Sequence, residues 1–155
     1  MVTSRMRNTY KEGLRFEEAT VAKILVIDDE PNVQTLLDMR LRQQGYDVLF
    51  ADNGWKGLQL YRQEHPHVVV LDLKMPELDG VTVLREIRSV DLAQPVIIFT
   101  GDTAPETERQ VRALGVSEFI VKGSSMKLLV DTLKCILTPA TLAMGGSIVI
   151  ETLAS

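Results

Sequence analysis

The sequence predicts an α/β protein built on an open, doubly wound parallel sheet. Three observations carry that prediction. Short β-branched apolar runs recur five times between residues 22 and 121. Segments of helical period separate them, and one more follows the last run. The breaks between segments hold Gly, Pro, Asp and Asn where caps and turns need them. Five such units are too few for an eight-fold barrel.

The elements follow in order. Ala22–Ile27 reads as a first strand, short and apolar throughout, as a strand buried on both faces should be. A helix follows, with Val33, Leu36, Leu37 and Leu41 on one face and Pro31 in its first turn, where a missing N–H costs nothing. Gly45 stands beyond it, where a left-handed residue ends a helix. Asp47–Phe50 is the second strand. Trp55, Leu58 and Tyr61 mark the next helix and predict that Trp55 packs inward rather than stacking on a ligand. Val68–Leu71 is the third strand, and Val83, Leu84 and Ile87 mark the third helix. Pro95–Phe99 is the fourth strand. Pro105, Val111, Leu114 and Gly115 outline the fourth helix and its end. Phe119–Val121 is the fifth strand. Ser124 and Ser125 are candidate caps for a last helix with Leu129, Leu133, Ile136 and Leu137 on one face, and Pro139 is its expected stop.

Composition bounds the function. The chain has 155 residues, a formal net charge of −4, one Cys and two His. That length suits one domain. No uncharged apolar run is long enough to span a bilayer, and the first residues lack the apolar core of a secretory signal. A single cysteine cannot form an intrachain disulfide, which fits a reducing, cytoplasmic setting. A mildly acidic chain is a poor general binder of nucleic acid. Residues 1–20 have no sustained period and read as a flexible leader. Residues 21–138 are the periodic domain. Residues 139–155 form an apolar tail of unassigned role, whether linker, start of a further domain or docking segment. An exposed Ile148-Val149-Ile150 edge there would invite strand pairing.

In sheets of this kind, ligands bind beyond the carboxyl ends of the strands. The first strand is followed by Asp28-Asp29-Glu30. The third ends in Asp72, then Leu73-Lys74-Met75-Pro76-Glu77-Leu78-Asp79-Gly80. The fourth ends in Thr100-Gly101-Asp102 and the fifth in Lys122-Gly123. If the first and third strands are neighbours, Asp28, Asp29 and Asp72 converge, and Thr100 and Lys122 approach from the other side. Three carboxylates in one cleft repel unless something positive sits among them. Lys122 supplies one charge. A hard divalent cation supplies the second, and Mg²⁺ fits best because it takes few carboxylates and leaves room for phosphate oxygens. Carboxylate, Mg²⁺, lysine and hydroxyl around one point form a phosphoryl-transfer site.

These residues, in this order and each at a strand's carboxyl end, resemble the receiver domain of two-component response regulators over about residues 22–138. The resemblance implies a flavodoxin-like (βα)5 three-layer sandwich with strand order 2-1-3-4-5. It implies that Asp72 accepts a phosphoryl group from a sensor histidine kinase or phosphotransfer protein. Asp29, Asp72 and the Lys74 carbonyl would bind Mg²⁺ directly, and Asp28 through water. Lys122 would pair with phosphoryl oxygens, and Thr100 would close on them. Phe119 matches an aromatic switch position, with the readout on the fourth helix, fifth strand and fifth helix. Such a domain is regulatory rather than enzymatic, and it works with an output domain or as a homodimer, without contacting nucleic acid or membrane itself. One position departs from the pattern. The family usually has Lys-Pro with a cis bond, and here it is Lys122-Gly123. A cis bond before glycine would cost about 2.5–4 kcal/mol, so the sequence predicts a trans bond or a loop rebuilt on glycine's freedom.

Other readings are weaker. A receiver-like interaction module working without phosphate is favoured only by Gly123. A phosphatase of the haloacid-dehalogenase type, with an aspartyl-phosphate, needs Asp-x-Asp on the first strand, and Asp28-Asp29-Glu30-Pro31 fails that pattern. A flavodoxin-like cofactor site needs a hydroxyl-rich loop where this chain has three acids. Lys74 and Asp102, each two residues beyond a site residue, would flank the mouth and tune loss of the phosphoryl group. His65 and His67 lie at the opposite end of the sheet without metal-binding partners. Cys135 lacks an activating base. Arg5, Arg7, Lys11 and Arg15 are interleaved with glutamates and make a poor nucleic-acid arm.

Overall fold

The computed structural model describes residues 21–124 and 126–143. The expected leader, Ser125 as a cap, and the Ile148-Val149-Ile150 edge lie outside those residues. The elements are β1 (Lys23–Ile27), α1 (Pro31–Gln43), β2 (Asp47–Ala51), α2 (Gly54–Glu64), β3 (Val68–Leu71), α3 (Gly80–Val90), β4 (Val96–Thr100), α4 (Pro105–Leu114), β5 (Glu118–Val121), α5 (Met126–Ile136) and α6 (Pro139–Ala143). The five strands are all parallel, in the order β2-β1-β3-β4-β5. That is the expected architecture.

Period-two alternation sends the side chains of each strand to opposite helical layers. Ile24, Val26, Val68, Val70, Ile97, Phe99 and Ile120 face the layer of α1 and α5, where Leu37, Leu41, Leu129 and Leu133 close on them. Leu25, Ile27, Val69, Leu71, Val96 and Ile98 face α2, α3 and α4, against Leu58, Val83, Leu84, Ile87 and Val111. Burying each of these large side chains contributes about 1.5–3 kcal/mol, and the sheet has a core on both sides.

The helix ends show why the chain breaks where it does. Asn53 accepts from the Lys56 N–H at 2.8 Å and caps α2. Asp79 accepts from the Thr82 N–H at 2.9 Å and caps α3. Each such cap stabilises by about 1 kcal/mol. Pro31 and Pro105 open α1 and α4 as expected.

One expectation needs correcting. Trp55 does not pack inward, being 64% exposed. The inner face of α2 is made by Gly54, Gly57, Leu58 and Tyr61. The helix lies so close to the sheet that a Cβ on Gly57 would meet Ile27 at 2.6 Å. Trp55 is one residue, about 100° of helical turn, away from that face. Pro139 lies just past the end of the last predicted helix, as expected of its stop. The last predicted helix ends at Ile136, and Pro139 opens the short α6. There Thr141 is buried and Leu142 packs on the α1–α5 side of the core.

Candidate functional site

The strand order places β1 beside β3, so the residues that leave both strands emerge side by side. Backbone hydrogen bonds carry the pairing one residue further. The Asp72 N–H donates to the Ile27 carbonyl at 3.0 Å, and the Asp28 N–H donates to the Ala51 carbonyl at 3.0 Å. Both aspartates are therefore held by the sheet rather than by a loop. The carboxylates of Asp28, Asp29 and Asp72 each bring an oxygen within 4.8 Å of the others. Asp28 and Asp72 are only 2% and 3% exposed, and Asp29 is partly exposed.

Lys122 reaches this cluster from the end of β5. Its N–H donates to the Thr100 carbonyl at 2.7 Å, continuing the β4–β5 pairing past Val121. Its Nζ lies 2.8 Å from Asp28 Oδ2 and 3.1 Å from Asp72 Oδ2. It also contacts Glu30 Oε1. The Lys122–Gly123 bond is trans, and Gly123 takes φ +95 in the left-handed region, so the loop is rebuilt on glycine's freedom as expected.

Further hydrogen bonds fix the acids. The Glu30 N–H donates to Asp28 Oδ1 at 2.9 Å, and the Lys74 N–H donates to Asp72 Oδ1 at 3.3 Å. Gln34 Nε2 donates to the Asp28 carbonyl at 2.6 Å. Burial pushes the Asp28 carboxyl above its ordinary value, and the charge of Asp72 adds to this; hydrogen bonds from Lys122 and Glu30 oppose it. Burial alone would pull the Lys122 ammonium down. Hydrogen bonds to Asp28 and Glu30, with the charges of Asp28 and Asp72, outweigh burial and hold it well above the usual lysine range. Lys122 thus stays charged throughout the physiological range.

This donor set fits a hard cation. Three carboxylates, two of them nearly buried, carry more negative charge than one ammonium balances. All the available ligands are oxygens, which suits Mg²⁺.

Thr100 is fully buried at the end of β4, and its Oγ1 accepts from the Asp102 N–H at 3.1 Å. Among the described residues it makes no hydrogen bond to Asp72. Phe119 pairs with Ile98 across the β4–β5 register and packs on the α2–α4 side, with the Arg112 guanidinium 5.7 Å from its ring centroid. Lys74 and Asp102 line one cleft of about 590 Å³ beside the site, with Met75, Thr82 and Arg85. Among the described residues no ion pair joins them.

The close approach of α3 depends on Gly80. Its N–H donates to the Leu73 carbonyl at 2.9 Å. A Cβ there would lie 2.2 Å from the Asp72 carbonyl oxygen. Glu77, in the same loop, takes φ 69, a left-handed conformation that costs a non-glycine residue about 1–2 kcal/mol.

Sequence reasoning missed two features. One is Glu30 as a third carboxylate on Lys122; the only signal was the run of three acids after β1. The other is Arg88, whose guanidinium donates to the carbonyls of Leu114, Gly115, Asp91 and Gln94. No sequence pattern marks an arginine that pairs with carbonyls instead of an acid.

Residues 24–134 match the family described as response regulator receiver domain. The regulatory protein AtoC of Escherichia coli is 36% identical over 102 residues, covering 66% of this chain and 22% of that protein. A probable transcriptional regulator, ycf27 of Galdieria sulphuraria, is 41% identical over 118 residues, covering 74% and 45%. The alkaline phosphatase synthesis transcriptional regulatory protein PhoP of Bacillus subtilis is 33% identical over 125 residues, covering 81% and 52%. The chain therefore spans about half the length, or less, of these relatives. Among solved structures, the chemotaxis protein CheY4 of Vibrio cholerae superposes with a TM-score of 0.70 at 27% identity, covering 76% of this chain and all of that one. The activated N-terminal receiver domain of RstA from Klebsiella pneumoniae superposes with a TM-score of 0.68 at 26% identity, covering 73% and 96%.

Proposed function

The chain belongs to the response regulator receiver domain family of two-component systems, and from that premise we propose that Asp72 is its phosphoacceptor. The observation that carries the reading is the setting of the Asp72 carboxylate. It is held by β3, joined to Asp28 and Asp29 in one oxygen cluster, and touched by Lys122 Nζ at 3.1 Å. The donor is a phosphohistidine on a sensor histidine kinase or phosphotransfer protein. An Asp72 oxygen attacks phosphorus in line as the bond to the histidine nitrogen breaks. Asp29, Asp72 and the Lys74 carbonyl would hold Mg²⁺, with Asp28 close by, and the cation would neutralise charge on the phosphoryl oxygens. Lys122 offers its ammonium to the same oxygens.

The added group carries about −1.5 to −2 charges. It draws Thr100 toward it, and Phe119 follows into the space left. The change is read on α4, β5 and α5 by an output domain or a second copy. Among the described residues no helix is long and apolar enough to cross a membrane, and we place the protein in the cytoplasm. Lys74 and Asp102 line the cleft at the mouth and tune hydrolysis by limiting the attacking water. If Lys74→Ala and Asp102→Ala both leave the dephosphorylation rate unchanged, that role is wrong.

The test of the main reading is labelling with acetyl phosphate and Mg²⁺, followed by intact mass. The folded wild type gains one phosphoryl group, and Asp72→Asn gains none. A folded wild type that stays unlabelled sinks the proposal.

A further inference from the structure

Glu30 directs its carboxylate away from the obvious use. It is the N-cap residue of α1, where a short polar side chain ordinarily accepts a helix N–H, yet it makes no capping hydrogen bond. Its Oε1 instead meets Lys122 Nζ, 92 residues away in sequence. An ammonium has three N–H donors, and three carboxylates surround this one: Asp28, Asp72 and Glu30. The side chain of Lys122 is 15% exposed while that of Glu30 is 56% exposed.

We propose that Glu30 is a restraining residue, which claims part of the Lys122 ammonium in the unmodified protein and so lowers the affinity of the site for a tetrahedral anionic group on Asp72. The inference rests on Asp72 being the acceptor. A phosphoryl group on Asp72 needs the N–H groups of Lys122. Glu30 competes for one of them, and its negative charge repels the incoming group across the same ammonium. Because Glu30 is largely in water, that competition is worth about a two- to fivefold change in affinity.

The experiment titrates the full chain with beryllofluoride in saturating Mg²⁺, by calorimetry, for the wild type, Glu30→Gln and Glu30→Ser. Gln removes the charge. Ser also removes it and offers α1 the cap it lacks. Both variants are expected to bind about two- to fivefold more tightly than the wild type, with the gain shrinking at about 0.5 M salt. Glu30→Ser should melt at the same or a higher temperature, which separates the gain from a loosened fold. If the wild type binds and both variants bind equally or more weakly, the restraint is disproved while the Asp72 reading stands. If the wild type neither binds beryllofluoride nor takes a phosphoryl label, both are overturned.

Discussion

His67 Nδ1 accepts the backbone N–H of Lys23 at 2.9 Å, and the His67 backbone N–H donates to the Lys23 carbonyl at 2.8 Å. One residue thus satisfies both backbone groups of the first residue of β1 and starts the β1–β3 pairing that brings Asp28 beside Asp72. The acceptor role requires neutral imidazole. Desolvation, and then the charge of Lys23, lower the His67 pKa below the ordinary value of 6.5. The folded protein binds this proton more weakly than the unfolded chain. The contribution to stability is complete above about 6.5 and is lost as pH falls through the depressed folded value. Urea midpoints at about pH 7.5 and about pH 5.5 should drop further for the wild type than for His67→Gln. Equal drops would refute the assignment.

Arg88 joins three places in the chain. Its guanidinium binds carbonyls at the end of α3, before β4 and at the end of α4, and among the described residues no carboxylate forms an ion pair with it. Desolvation lowers its pKa, though an arginine remains charged in any case. Arg88→Ala should cost about 2–3 kcal/mol in chemical denaturation, since hydrogen bonds from a charged donor are the strong ones. Arg88→Lys should recover less than half of that, because an ammonium cannot reproduce the planar fork. Full recovery by lysine would show that charge alone matters there.

Gly80 is required by space rather than by backbone angle. Gly80→Ala places a Cβ against the Asp72 carbonyl and the Leu73 Cα. Forcing those apart should cost about 1–3 kcal/mol and weaken metal binding by shifting Asp72. Gly101→Ala, with nothing within 4 Å of its Cβ position, should change stability by less than about 0.5 kcal/mol. Similar losses at both glycines would contradict the packing argument.

Magnesium should stabilise the fold, because the acids converge only when the sheet is formed. At 100 times the dissociation constant the gain is about 2.7 kcal/mol. The melting temperature should rise with Mg²⁺ in the wild type and much less in Asp29→Asn. No rise in the wild type would leave the acid cluster without its cation.

Much of this molecule was legible as a linear pattern. Val68-Val69-Val70-Leu71 reads as a strand buried on both faces because it is short, β-branched and bounded by breaks, and Leu37 and Leu41 share one helical stripe because side-chain period follows from backbone geometry. Asp28, Asp72, Thr100 and Lys122 could be singled out because each follows a strand, and in a parallel sheet all strand ends of one kind lie on one side. The position of Trp55 was not legible. Its helix approaches the sheet through Gly54 and Gly57, and the depth of that approach depends on Ile27, a residue on another element. Nor was the partnership of Glu30 with Lys122, or of Arg88 with carbonyls of three segments. Local pattern determines which elements form and which ends they present. Long, flexible charged side chains choose partners by distance in space, and only the assembled sheet and helices set those distances.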